Sequence, residues 1–159
     1  RQAQGDDLPF MLELAHYEWV ELALSISELT DDVSKLSAQA NLLDEVPVLS
    51  NLAWLLTYQY PVHEISSDFQ PEQAGEQATH IVASHLIDAE DISFTEVNPV
   101  IARLLQLISE NSEHLTGKEL LTQIATELGN PDIDNIINFG IQTLTEVHNK
   151  GIIVGTIKQ

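Results

Sequence analysis

The sequence contains no cysteine and only six lysine and arginine residues against 25 aspartate and glutamate residues. Without cysteine there is no disulfide framework, no thiolate nucleophile and no cysteine-ligated zinc or iron–sulfur site, and a cytoplasmic setting is the expected one. The shortage of cations excludes more. The net charge is −19, and Arg1, Lys35, Arg103, Lys118, Lys150 and Lys158 are scattered along the chain. Proteins that hold nucleic acid neutralise several phosphates with grouped cations, so this chain is expected to repel a duplex, and to avoid anionic membrane surfaces as well. Solubility is the plain reading of the acidity; an acidic face that steers a basic partner is the sharper one. Long hydrophobic runs are missing too: the stretch around Leu52 to Leu56 falls well short of the roughly 20 residues a membrane span needs, and no basic segment precedes an apolar one as in a secretory signal. Glycine-rich phosphate loops and Gly-x-Ser-x-Gly elbows are absent, and Gly117 with Lys118 lacks the upstream glycine of a P-loop.

What is present is enough for a core. Of 159 residues, 43% are apolar, which suits one compact domain or two very small ones. The chain starts at Arg1, and its helical pattern begins within a few residues, so it is expected to be a piece of a longer protein. Asp6 and Asp7 precede Leu8 and Pro9, and Phe10, Met11, Leu14, Ala15, Trp19, Val20, Leu22, Ala23 and Ile26 then recur with a helical period, which predicts a long, well-buried helix. Residues 30–47 lose the pattern and read as a loop with at most one helical turn. The aromatic run 52–60, stopped by Pro61, suits a strand, and residues 61–78 read as a connection. Residues 79–87 and 92–97 form two strands around a turn at 88–91, a β-hairpin. Asn98 and Pro99 open a helix through Val100, Ile101, Leu104, Leu105 and Ile108. Thr116 and Glu119 have capping-box spacing ahead of Leu120, Leu121, Ile124, Ala125 and Leu128, with Gly129 as the stop. A third helix starts near Pro131 and Asp132 and runs through Ile136, Phe139 and Leu144, and a short strand follows at Ile152 to Val154.

The expected class is therefore α+β: a long N-terminal helix, a small antiparallel sheet and a three-helix, winged-helix-like C-terminal module, with residues 1–75 forming the first part and 76–159 the second. Catalytic chemistry finds little support. Glu13 and His16 have the Glu-x-x-His spacing of carboxylate-bridged di-iron bundles, but such a site needs a second pair, and ordinary hydrogen bonds explain these two better. No two of His16, His63, His80, His85, His114 and His148 stand three or four apart on an expected helix, and His80 and His85 point to opposite faces of a strand. Carboxylate pairs such as Glu18 and Glu21 fit a solvated helical face. No catalytic residue, metal or cofactor is expected. The hairpin is a better candidate, because Ile92, Phe94 and Glu96 would lie on an edge strand that can accept a strand from a partner peptide, with the third helix as the other wall of the groove. Two outcomes stay open: the edge is free, or the final strand at Ile152 to Val154 caps it.

Two family resemblances sharpen this. The stretch 92–98 (Ile-Ser-Phe-Thr-Glu-Val-Asn), continued by Ala102, Leu104, Leu105, Thr116, Leu120, Ile124, Leu128, Phe139, Leu144, Gly151 and Ile152, resembles the PqqD-type peptide-recognition domain of ribosomal-peptide modification pathways. Residues 14–21 (Leu-Ala-His-Tyr-Glu-Trp-Val-Glu), 60–65 (Tyr-Pro-Val-His-Glu-Ile) and Asn98-Pro99 with the helix after it resemble the C-terminal region of the bacterial HvfC/BufC family, over nearly the whole chain. That family's N-terminal helical domain, often labelled DNA-binding, is expected to be missing. The resemblance implies a non-catalytic protein that pairs with a TIM-barrel, multinuclear-iron enzyme and presents a short precursor peptide whose cysteines the enzyme oxidises. It carries over no catalytic residues. Mapped through the PqqD-like pattern, the peptide groove would use Ile92, Phe94, Glu96, Ile136, Phe139 and Thr143. The rival reading is a transcriptional regulator whose DNA contacts lie in the missing domain, since the last helix here carries Asp132, Asp134 and Glu146 with only Lys150 at its end. A plain oligomerisation domain is the third.

Overall fold

A computed structural model of the chain describes residues 8–73, 75, 77–85, 91–129 and 132–159. The expected capping acids Asp6 and Asp7, most of the turn at 88–91, the strand end at Leu86 and Ile87, and Pro131 lie outside the described residues. The fold is mixed α+β, with helices α1 (Met11–Ser25), α2 (Pro99–Ser109), α3 (Gly117–Leu128) and α4 (Ile133–Asn149). Strands β1 (Val46–Leu49), β2 (Ala53–Tyr58), β3 (Thr79–Ser84), β4 (Ser93–Val97) and β5 (Ile153–Ile157) complete it. The chain divides into two compact units, Arg1–Glu28 with Trp54–Asn98, and Leu29–Ala53 with Pro99–Gln159.

In the first unit, β2, β3 and β4 form an antiparallel-edged sheet in that order, with β3 and β4 paired antiparallel from His80 opposite Val97 to Ser84 opposite Ser93. Period-two alternation puts Ile81, Ala83 and Phe94 on one face of this ladder, and α1 packs on that face. Val20 and Leu24 meet Ala83 with Trp54, Leu56, Ile92 and Phe94 around them. Leu14 and Tyr17 pack against the cluster of Tyr58, Val62 and Ile81. The helix was expected to be well buried, and here the structure corrects the sequence reading: among its helical residues only Val20 and Leu24 are buried, while Leu12, Trp19 and Leu22 stand in solvent. Periodicity identifies which residues share a face; it does not say how many faces the fold will cover.

In the second unit, β1 and β5 pair antiparallel from Val46 opposite Ile157 to Leu49 opposite Ile153, with a register irregularity after Val48. This overturns two expectations. Val46 and Pro47, the end of the expected loop, begin a strand, and the strands form two small sheets rather than one. Pro47 hides β1 in the sequence, yet a two-stranded ribbon consists only of edges, where a residue without an N–H is tolerated. The helices α2, α3 and α4 form as their signals predict. Thr116 caps α3 by accepting from the Glu119 N–H at 3.3 Å while the Glu119 carboxylate accepts from the Thr116 N–H at 3.2 Å. Gly129, with φ +66°, ends the helix in the left-handed conformation that glycine adopts at little cost. Asp132 caps α4 through the Asn135 N–H at 3.1 Å. Gly117 allows a close backbone crossing: a Cβ there would sit 1.7 Å from the Leu42 carbonyl oxygen. The apolar faces of the helices close over Leu104, Leu105, Leu120, Ile124, Leu144 and Ile153, all at most 3% exposed, so this core is continuous with the ribbon.

Candidate docking surfaces

The first surface is the outer edge of β4. The sheet order leaves β4 bonded to β3 on one side and to no other strand among the described residues. The final strand, weighed in the sequence as a cap for this edge, pairs with β1 instead. Main-chain donors and acceptors along such an edge are a template for another strand. The side chains beneath it fix it in place. Phe94 faces inward, its ring centroid 4.5 Å from that of Tyr17, and Ile92 packs on the cluster of Val20, Leu24 and Ala83. Both serve the unit's own core, so the backbone of β4, more than these rings, is what a partner would meet. Glu96 follows Phe94 on the same face, but more than half of its side chain is exposed, and it pairs with Nε2 of His63. Nδ1 of His63 is buried with no hydrogen-bond partner among the described residues.

Polar groups hold the far side of this unit. The Glu13 carboxylate accepts from the N–H groups of Gln59 at 2.9 Å and Tyr60 at 2.8 Å, pinning α1 to the end of β2. His16 Nδ1 lies 2.8 Å from the Tyr58 hydroxyl. Burial, then the nearby Glu13 carboxylate and Tyr17, push the Tyr58 phenol up to about 12; burial and Glu21 raise that of Tyr17. A phenol kept protonated at all ordinary pH is a fixed hydrogen-bonding group rather than a proton carrier. Thr57 similarly meets Nδ1 of His80 at 3.0 Å, and His85 Nδ1 lies 3.3 Å from the Leu24 carbonyl. The Glu-x-x-His pair is thus engaged in structural hydrogen bonds. Among the described residues no three His, Asp or Glu side chains gather closely enough to hold a metal.

The second surface lies in the helical unit. Ile136, Phe139 and Thr143 lie along α4 and border a small apolar hollow with Ile101 and Leu104 of α2 and Leu121 of α3. Its volume is about 20 Å³, room for roughly one water. It exists where Gly140 brings α4 against α3, since a Cβ at that position would sit 2.3 Å from Leu121 Cδ2. Phe139 is half exposed, while Thr143 is buried and its hydroxyl donates to the Phe139 carbonyl at 3.2 Å. The six residues mapped onto one groove are therefore divided: Ile92, Phe94 and Glu96 belong to the first unit, and Ile136, Phe139 and Thr143 to the second. The sequence reading did not single out a third feature, the exposed apolar side of α1 with Leu12, Trp19, Leu22 and Ile26. Its signal was available as a three-four spacing.

A family model described as the HvfC C-terminal domain matches residues 50–148. The chain belongs to the HvfC family. No curated protein and no solved structure matches it. The matched stretch of this HvfC-family chain contains β2, β3, β4, α2 and α3 entire and nearly all of α4, so both the β4 edge and the hollow beside Phe139 fall within it. No described helix is long and apolar enough to cross a membrane.

Proposed function

We propose that this HvfC-family chain is a non-catalytic accessory protein that binds a partner enzyme, a precursor peptide, or both, in a pathway that modifies ribosomal peptides. The observation that carries the reading is the edge of β4, left without a strand partner among the described residues and held rigid from below by Phe94 on Tyr17. A peptide adding there would gain main-chain hydrogen bonds to Ser93–Val97 and side-chain contacts at Glu96. The partners implied by the resemblance are a TIM-barrel, multinuclear-iron enzyme and a short cysteine-bearing peptide. The order of hairpin, three helices and strand suits a winged-helix-like, PqqD-like reading of residues 76–159, and Ile136, Phe139 and Thr143 are kept as separate candidate contacts within the helical unit. The acidity of the chain supports the same reading, because a protein at −19 is poorly suited to hold nucleic acid itself.

The test is co-purification of the chain with a tagged iron-binding TIM-barrel protein and with a short cysteine-bearing peptide encoded beside it. Retention of either is expected. Thr95→Pro and Glu96→Pro, made separately, each remove one N–H of β4; adjacent residues direct theirs to opposite sides, so the variant that keeps its circular dichroism lacks an outward donor. That variant is expected to lose the peptide. Failure to retain both partners, combined with a shift of duplex DNA by the full-length protein at physiological salt, would replace this reading with that of a regulator.

A further inference from the structure

Helix α1 is apolar on two opposite faces, and the first unit uses one of them. At about 100° per residue, Phe10, Leu14, Tyr17, Val20 and Leu24 share the side that packs on the sheet. Leu12, Ala15, Trp19, Leu22 and Ile26 share the opposite side, and all five are exposed. The exposure is large: 60% for Leu12, 57% for Trp19, 59% for Leu22 and 71% for Ile26. Their spacing is three, four, three, four, the a/d seam of a coiled coil. A helix apolar all round is ordinarily covered all round, and an apolar patch of this kind marks an interaction site.

We propose that this seam docks a single amphipathic helix of another protein, apolar at its own a and d positions and flanked by lysine and arginine. The spacing selects a helix. An a/d seam receives knobs from a facing helix crossing at a shallow angle, whereas a strand or extended peptide presents side chains at a period of two. Charge selects a basic one. Glu13, Glu18 and Glu21 lie on α1, which has no lysine or arginine, and the exposed Glu18 borders the seam. A second copy would set acidic helix against acidic helix with −19 on each chain, while a basic helix meets complementary charge. The largest knob is already ordered: the Trp19 ring lies 5.7 Å from His16, which is itself held at 2.8 Å by the Tyr58 hydroxyl. Less side-chain freedom is then lost on docking. The seam is separate from the β4 edge, and the inference does not rest on the proposed function.

Two fluorescein-labelled heptad peptides with the same leucine and isoleucine seam test it, one with lysine and arginine at the flanking positions and one with glutamate. Titrated with the whole chain and followed by anisotropy, the basic peptide is expected to bind and the acidic one not. Leu22→Gln, at an exposed position compatible with the helix, should weaken the basic peptide by about tenfold or more, as expected for one lost leucine contact. Glu18→Gln should weaken it by about twofold and lessen its salt dependence. Absence of binding, equal binding of both peptides, or an affinity unchanged by Leu22→Gln overturns the proposal. So does a chain that sediments as a dimer and reverts to a monomer with Leu22→Gln, because the seam would then belong to a second copy.

Discussion

The two units solve the same problem in opposite ways. In the helical unit the helices turn most of their apolar stripes inward, Thr116, Gly129 and Asp132 cap α3 and α4, and the two strands of the ribbon pair with each other. In the other unit one helix keeps a second apolar face in solvent and one strand keeps an edge without a partner among the described residues. The unit that has covered more of its apolar surface contributes chiefly stability; the one that leaves a whole helix face uncovered is the better equipped to bind.

Substitutions of like residues in the two units should separate these roles. Leu144→Ala, at a fully buried position of α4, is expected to cost about 2–5 kcal/mol in urea unfolding, the range for emptying a leucine site in a tight core. Gly117→Ala should cost about 1–3 kcal/mol, because the new methyl group meets the Leu42 backbone and the crossing must open. Thr116→Ala removes one half of the capping box and should cost about 1 kcal/mol. Acid should act mainly on the helical unit's polar seam. Hydroxyls of Thr156, at 2.8 Å, and of Ser37, at 2.9 Å, hold the Glu45 carboxyl below the usual glutamate value. A carboxyl whose folded value is depressed stabilises the fold above its unfolded value, and that stability fades as pH falls through the folded one. Glu45→Gln should therefore lose less of its urea midpoint than the parent between neutral pH and about pH 3. Leu22→Gln on α1 should change stability by about 0.5 kcal/mol or less, although it replaces the same residue type as Leu144→Ala. A large loss there would mean that the outer face of α1 is already covered, and the contrast between the units would collapse.

Much of the fold was legible in the sequence because its signals are local. The Thr116 and Glu119 box, the Gly129 stop, the alternation from Ile92 to Val97 and the Asn98-Pro99 start all operate within a few residues, and each marks its element in the structure. The pairing of β1 with β5 was not legible: Val46 and Ile157 carry no mark of each other, and Pro47 argues against a strand when read alone. The candidate site was legible to the same degree. Alternation puts Phe94 and Glu96 on one face of β4; that Phe94 packs on Tyr17 while Glu96 stays more than half exposed showed only once α1 was in view, and whether the β4 edge is occupied depended on where β5 went. For α1 the period was right and the environment was not, since a helix with two apolar faces gives a sequence reading no reason to prefer either.

The ribbon of β1 and β5 also sets a timetable. Glu45 and Thr156, bonded across it, are separated by 111 positions, whereas the first unit has received all its residues by Asn98. At the usual pace of about 5–20 residues per second, β1 waits roughly 5–20 s on the ribosome for its partner strand. During synthesis the unit with the open surfaces is complete first, and the tightly closed one last.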